Sequence, residues 1–159
     1  MLFTASTLFA ALVSGAYAAP ASGGTVIQAP SGNGQIIVSQ TQLRVTGCID
    51  AQGLWNVAGD CAIFSGDDDG GISGPEGYLV FTEDSGITTS PTSDSTWLGY
   101  YLNGNTSATY ISADKTTVDD AAGQILLHAD NVPSGSGTVS IHASSTDGDV
   151  AVYLSWIAQ

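Results

Sequence analysis

Basic residues are almost missing from this chain. It has two, Arg44 and Lys115, against fifteen acidic ones, and a formal net charge of −13 at pH 7 over 159 residues. Nucleic-acid binding is driven by cations that neutralise phosphates, so nucleic acid is excluded as a partner. An anionic membrane surface is excluded for the same reason. Charged residues make up only 11% of the chain and apolar ones 43%, so the acidity is not that of a disordered tail. No apolar run approaches the ~20 residues of a membrane-spanning helix. Nor is there a CxxC pair, a Gly-x-Ser-x-Gly elbow, a P-loop or an HExxH sequence. Those absences remove dithiol redox, α/β-hydrolase, nucleotide-phosphate and zinc-protease chemistry. Apolar residues recurring every 3.6 positions are missing as well, so helices are not expected to build the core.

What is present begins with an address. Met1–Ala18 has an apolar run around Leu8–Val13 followed by Ala16-Tyr17-Ala18, the small-x-small pattern cut by signal peptidase. The expected mature protein starts at Ala19 and is secreted, leaving about 140 residues, enough for one domain with its own core. The two cysteines, Cys48 and Cys61, lie close together in a chain bound for an oxidising compartment, which favours a disulfide. Their spacing fits neither a redox motif nor a zinc knuckle.

Between Gly, Ser, Asp and Pro punctuation lie short segments rich in Val, Ile, Thr, Tyr, Phe and Trp. The cleanest is 150–157, where Val150, Val152, Leu154 and Trp156 alternate with other residues, the period of a strand. Further strands are expected at 26–27, 35–38, 43–45, 61–64, 78–81, 97–102, 108–111, 124–129 and 139–143. Asp114–Gly123 reads as the one stretch able to form a helical turn, and 84–94 and 132–137 as surface loops. The fold class is therefore all-β: an antiparallel sandwich or barrel with one local disulfide. The leader is followed by a flexible segment, 19–34, and a single β domain, 35–159.

The stretch Gly47-Cys48-Ile49-Asp50-Ala51-Gln52-Gly53-Leu54-Trp55, followed by Gly59-Asp60-Cys61-Ala62-Ile63-Phe64, loosely resembles part of the small β-rich C-terminal domain of some fungal T2-type ribonucleases. Similar stand-alone small secreted proteins occur in fungi. The match covers about twenty residues, and the further cysteine pair usual in those domains is absent. The resemblance implies a non-catalytic accessory module of fungal origin, without the ribonuclease's histidine-bearing catalytic motifs. Physically, the segment reads as a hairpin whose arms Cys48 and Cys61 tie, with Trp55 between them either as packing or as an exposed sugar platform.

Four further features carry candidate chemistry. In the run Trp97-Leu98-Gly99-Tyr100-Tyr101-Leu102, alternation assigns Leu98, Tyr100 and Leu102 to the core. That leaves Trp97 and Tyr101 as ligand-stacking residues, together with Trp55. Next, a turn at 132–137 with Ala129 opposite Ile141 would set His128 opposite His142, with Asp130 on the same polar face. Cβ atoms ~5 Å apart make these three residues a candidate Zn²⁺ site, an acid/base pair, or a solvated polar pair. The acidic clusters Asp67-Asp68-Asp69, Asp119-Asp120 and Asp147-Gly148-Asp149 raise Ca²⁺, although EF-hand spacing is absent. Finally, Asn105-Thr106-Ser107 is an N-glycosylation sequon.

No cofactor is required by any of this. The expected function is a secreted, non-catalytic protein that binds cell-wall polysaccharide or an extracellular protein. The alternatives are a small hydrolase or metal-binding protein using His128 and His142, and a coat protein without a specific ligand. The address has its own test: protein collected from the medium should begin at Ala19 by intact mass. A retained leader would overturn the assignment.

Overall fold

The structure is a computed structural model. It describes residues 24–26, 28–41, 44–82, 86–102, 110–113, 118–119, 124–125, 127–143 and 149–159. The leader and the Asn105 sequon lie outside these residues.

The strands run in chain order β1 (Gly24–Val26), β2 (Gly32–Thr41), β3 (Arg44–Ile49), β4 (Trp55–Asn56) and β5 (Phe64–Gly66). They continue with β6 (Ile72–Gly74), β7 (Gly77–Thr82), β8 (Gly86–Ser90), β9 (Trp97–Leu102) and β10 (Tyr110–Ala113). The last five are β11 (Val118–Asp119), β12 (Gln124–Ile125), β13 (Leu127–Ala129), β14 (Thr138–Val139) and β15 (Val150–Ala158). Every named strand pairing is antiparallel, and no helix occurs among the described residues. The protein is all-β, with one disulfide joining Cys48 and Cys61.

β15 is the hub of the pairing. It meets β2 from Tyr153 to Ala158, β10 at Leu154 and Ser155, and β13 from Val150 to Val152. From β2 the ladder continues through β5, β6 and β7 to β8. The amide of Ile87 in β8 then donates to the Ile141 carbonyl at 2.8 Å. His142, next along, bridges to His128 in β13, which returns to β15. The hydrogen-bonded circuit therefore closes on itself in the manner of a barrel, which removes edges from the strands within it. Branching from it are β10, β9 and β1 on one side and β3, β4 and β14 on another.

The circuit encloses one apolar cluster that includes Ile36, Val38, Ile49, Phe64, Leu79, Phe81, Ile111, Leu127, Ile141 and Leu154. Each such side chain contributes roughly 1.5–3 kcal/mol on full burial. The alternation expected in the last strand holds: Val152, Leu154 and Trp156 are buried while Ile157 is exposed. Tyr153 is buried on the opposite face, where it meets Tyr110 edge-on at 6.0 Å and 64°. Burial raises both phenols above their ordinary pKa, and Tyr110 is raised further by Tyr153.

The disulfide hairpin differs from expectation in one respect. β3 pairs with β4 through Cys48–Asn56 and Ile49–Trp55, around a turn in which Asp50 Oδ1 accepts from the amides of Gln52 and Leu54. Cys61 lies beyond the second arm, and Ala62 N donates to Ile49 O at 3.0 Å. The bridge thus ties the first arm to the segment leaving the hairpin. In the chain-entropy model, a loop of 13-residue separation contributes about 3 kcal/mol.

Three local expectations are corrected. Gly24–Val26 and Gly32–Gly34 of the expected flexible segment are paired, with β9 and with β5 and β15. Gly86–Ser90, expected in a surface loop, is β8, whose Ile87 is buried. Val118–Asp119, in the stretch able to form a helical turn, instead pairs with Gln124–Ile125. In all three, strand partners distant in sequence or a tight reversal override weak local preference.

Ring closure depends on Gly86. Its φ is +68°, and a Cβ there would collide with the Ile141 carbonyl oxygen, the acceptor for Ile87. Gly135 also has positive φ (+59°), but nothing lies within 4 Å of its Cβ position. Gly135→Ala should therefore cost about 1 kcal/mol, the strain of the left-handed conformation alone. Gly86→Ala should cost at least about 3 kcal/mol, because the closing strand must shift as well. Urea denaturation of both variants checks this; equal losses would show that the closing contact contributes nothing.

Candidate functional site

The polar constellation of interest sits where β13 meets the Ile141–His142 segment on one side and β15 on the other. Leu127, Ala129 and Ile141 are fully buried, and that apolar set fixes which way the intervening residues point. The backbone amides of His128 and His142 each donate to the other's carbonyl at 2.8 Å. This is the cross-strand pairing that the sequence predicts around the 132–137 turn. The remainder of that hairpin does not form, because Val139 pairs with Trp55 of β4 and leaves the 128 strand.

On the polar side, His142 Nε2 lies 3.2 Å from Asp130 Oδ1. The β13–β15 register pairs Ala129 with Val150, and Asp130 and Asp149 follow at the end of that ladder. One ligand atom each from Asp130, His142 and Asp149 lie within 4.8 Å of one another. His128 is half-buried on the same face, and its Nδ1 is buried with no hydrogen-bond partner among the described residues. Burial lowers its pKa below the usual 6.5; the Asp149 carboxylate opposes that shift and His142 adds to it. His128, His142, Asp130 and Asp149 thus belong to one small surface.

The expected set His128, His142 and Asp130 is brought to one place, but the group with ligand atoms close together replaces His128 with Asp149. Sequence reading placed Asp149 only in the acidic 147–149 cluster. The missing signal was register: Val150 opens the alternating last strand, and pairing it beside Ala129 brings Asp149 near Asp130.

The stacking residues are corrected. Trp97 and Trp55 are both 0% exposed, so neither can lie flat against a ligand. Trp97 Nε1 donates to Leu79 O at 2.9 Å, and its ring joins the core cluster. The alternation inferred for this strand failed because Leu98 is the half-buried member and Trp97 the inward one. Trp55 packs in the same cluster, beside Gly47, where a Cβ would collide with the Asn56 carbonyl and with Trp55 Nε1. For Tyr101 the backbone pairs with Thr25, and its side chain lies outside the described residues.

Of the acidic clusters considered for Ca²⁺, the 67–71 loop has its first carboxylate engaged internally. Asp67 Oδ1 accepts from the amides of Asp69 at 3.0 Å and Gly71 at 2.7 Å, so this acid shapes a turn. No protein-family model, curated protein or solved structure matches the chain.

Trp97→Phe should cost about 1–3 kcal/mol, because Leu79 O loses its buried donor. Trp97→Ala should cost about 3–5 kcal/mol. Equilibrium unfolding checks both; a loss under 1 kcal/mol for the alanine variant would restore Trp97 as an exposed residue.

Proposed function

We propose that this chain is a secreted, non-catalytic module that acts outside the cell by binding a carbohydrate or protein partner. The observation that carries the reading is where its chemistry-bearing side chains go. Trp55 and Trp97 fill the core, and Asp50 and Asp67 hold turns together through backbone amides. These tryptophans and carboxylates therefore serve folding, and what remains outside among the described residues is an acidic, largely polar surface. A disulfide-tied fold suits an oxidising compartment, and no described helix is long and apolar enough to cross a membrane. The leader pattern and the resemblance to the accessory domain of fungal T2-type ribonucleases support the same reading.

The acidity constrains the partner. With fifteen acidic and two basic residues, recognition of a polyanion is opposed by Coulomb repulsion, whereas neutral glucans or chitin-like polymers and basic protein surfaces are compatible. The buried tryptophans remove the usual sugar platform, so a neutral glycan would be held by polar groups. A second reading, hydrolysis by the histidine pair, is favoured only by the cross-strand bridge between His128 and His142.

Secreted protein should bind an insoluble wall polysaccharide or a basic extracellular protein in pull-down and show no turnover of RNA, ester or glycoside substrates. Turnover abolished by His142→Ala would replace this reading with the hydrolase.

A further inference from the structure

We infer that Asp130, His142 and Asp149 form a divalent transition-metal site of the zinc type, independent of the partner-binding role. The register makes the argument. The β13–β15 ladder ends at Ala129 and Val150; Asp130 and Asp149 follow at that end and bring ligand atoms within 4.8 Å of each other. Carboxylates held this close repel. His142 joins them from the other neighbour of β13, held by its two backbone hydrogen bonds to His128. A divalent cation placed among the three ligand atoms offsets the repulsion between the two carboxylates.

Distances agree with this use. The three ligand atoms already lie within 4.8 Å of one another. Donors at 2.0–2.2 Å from a tetrahedral Zn²⁺ stand about 3.4 Å apart. Closing that gap requires a movement of about 1 Å, and the Asp130 side chain, 78% exposed, is free of packing that would resist it. His142, whose side chain is 19% exposed, supplies the fixed member.

The donor chemistry selects the ion. One imidazole and two carboxylates suit Zn²⁺ and its first-row neighbours, whereas Ca²⁺ takes oxygen ligands alone, six to eight of them. Three protein donors leave a fourth position of a tetrahedral ion to water.

The test uses tag-free full-length secreted protein, stripped with chelator and titrated with Zn²⁺ or Ca²⁺ by calorimetry and thermal unfolding. One equivalent of Zn²⁺ should bind and raise Tm, since a ligand specific to the folded state stabilises it; Ca²⁺ should do neither. Asp149→Asn and His142→Ala should each weaken Zn²⁺ binding at least about tenfold. The exposed substitution Asp130→Asn should do the same with metal-free Tm unchanged, so misfolding of the His142 variant leaves the proposal testable. His128→Ala should retain binding. Absence of Zn²⁺ binding would overturn the proposal, as would binding that survives all three ligand substitutions and so belongs elsewhere. If His128→Ala loses binding as fully as Asp149→Asn, the assigned ligand set is wrong.

Discussion

The register of β15 is set by a conflict between its two faces. Val152, Leu154 and Trp156 must enter the central cluster, while Ala151 and Ser155 are half-buried and Ile157 is exposed. A slip of one residue would exchange the two sets. It would place an alanine, a tyrosine and a serine where valine, leucine and tryptophan now pack, at about 2–5 kcal/mol for each large apolar side chain withdrawn. That constraint propagates, because β15 pairs with β2, β10 and β13. Fixing it aligns the long β2 ladder, seats Tyr110 against Tyr153 and places Val150 beside Ala129. The proximity of Asp149 to Asp130 is therefore a by-product of apolar packing.

The same distinction explains what the sequence made legible. β15 was readable because apolar residues alternate through 150–157, and the disulfide because two cysteines near each other in sequence have one simple pairing. The bridge between His128 and His142 was readable because apolar residues on both arms had to share a face. Trp97 was not. In a run as apolar as Trp97–Leu102, alternation assigns two sets without saying which is inside. The decision came from Leu79, whose carbonyl offers the indole a buried acceptor. β8 was hidden for a similar reason: Gly86, Thr88, Thr89 and Ser90 are turn-like in composition, and only β7 and the Ile141 segment make them a strand.

Closure of the sheet accounts for two otherwise unrelated features. Gly86 must be glycine because a carbonyl occupies the space a side chain would need. Ile141 and His142 lie between two neighbours: the Ile141 carbonyl accepts from Ile87, and His142 bridges to His128. Val139, paired with Trp55, takes no further part in that hairpin. With His128 opposite His142, Asp130 stands diagonally across from His142, and their side chains meet at 3.2 Å.

Acidity in this chain has two structural fates. Asp50 and Asp67 each accept two backbone amides within their own turn, an arrangement that compensates a carboxylate locally and requires no cation. Asp130 is instead met by a side chain from another segment, with His142 Nε2 3.2 Å from its Oδ1. Asp149 brings a second carboxylate to the same place, and the three ligand atoms lie within 4.8 Å of one another. Repulsion between carboxylates grows as their separation falls. Packing that draws these two acids together therefore sets up the charge that a divalent ion offsets.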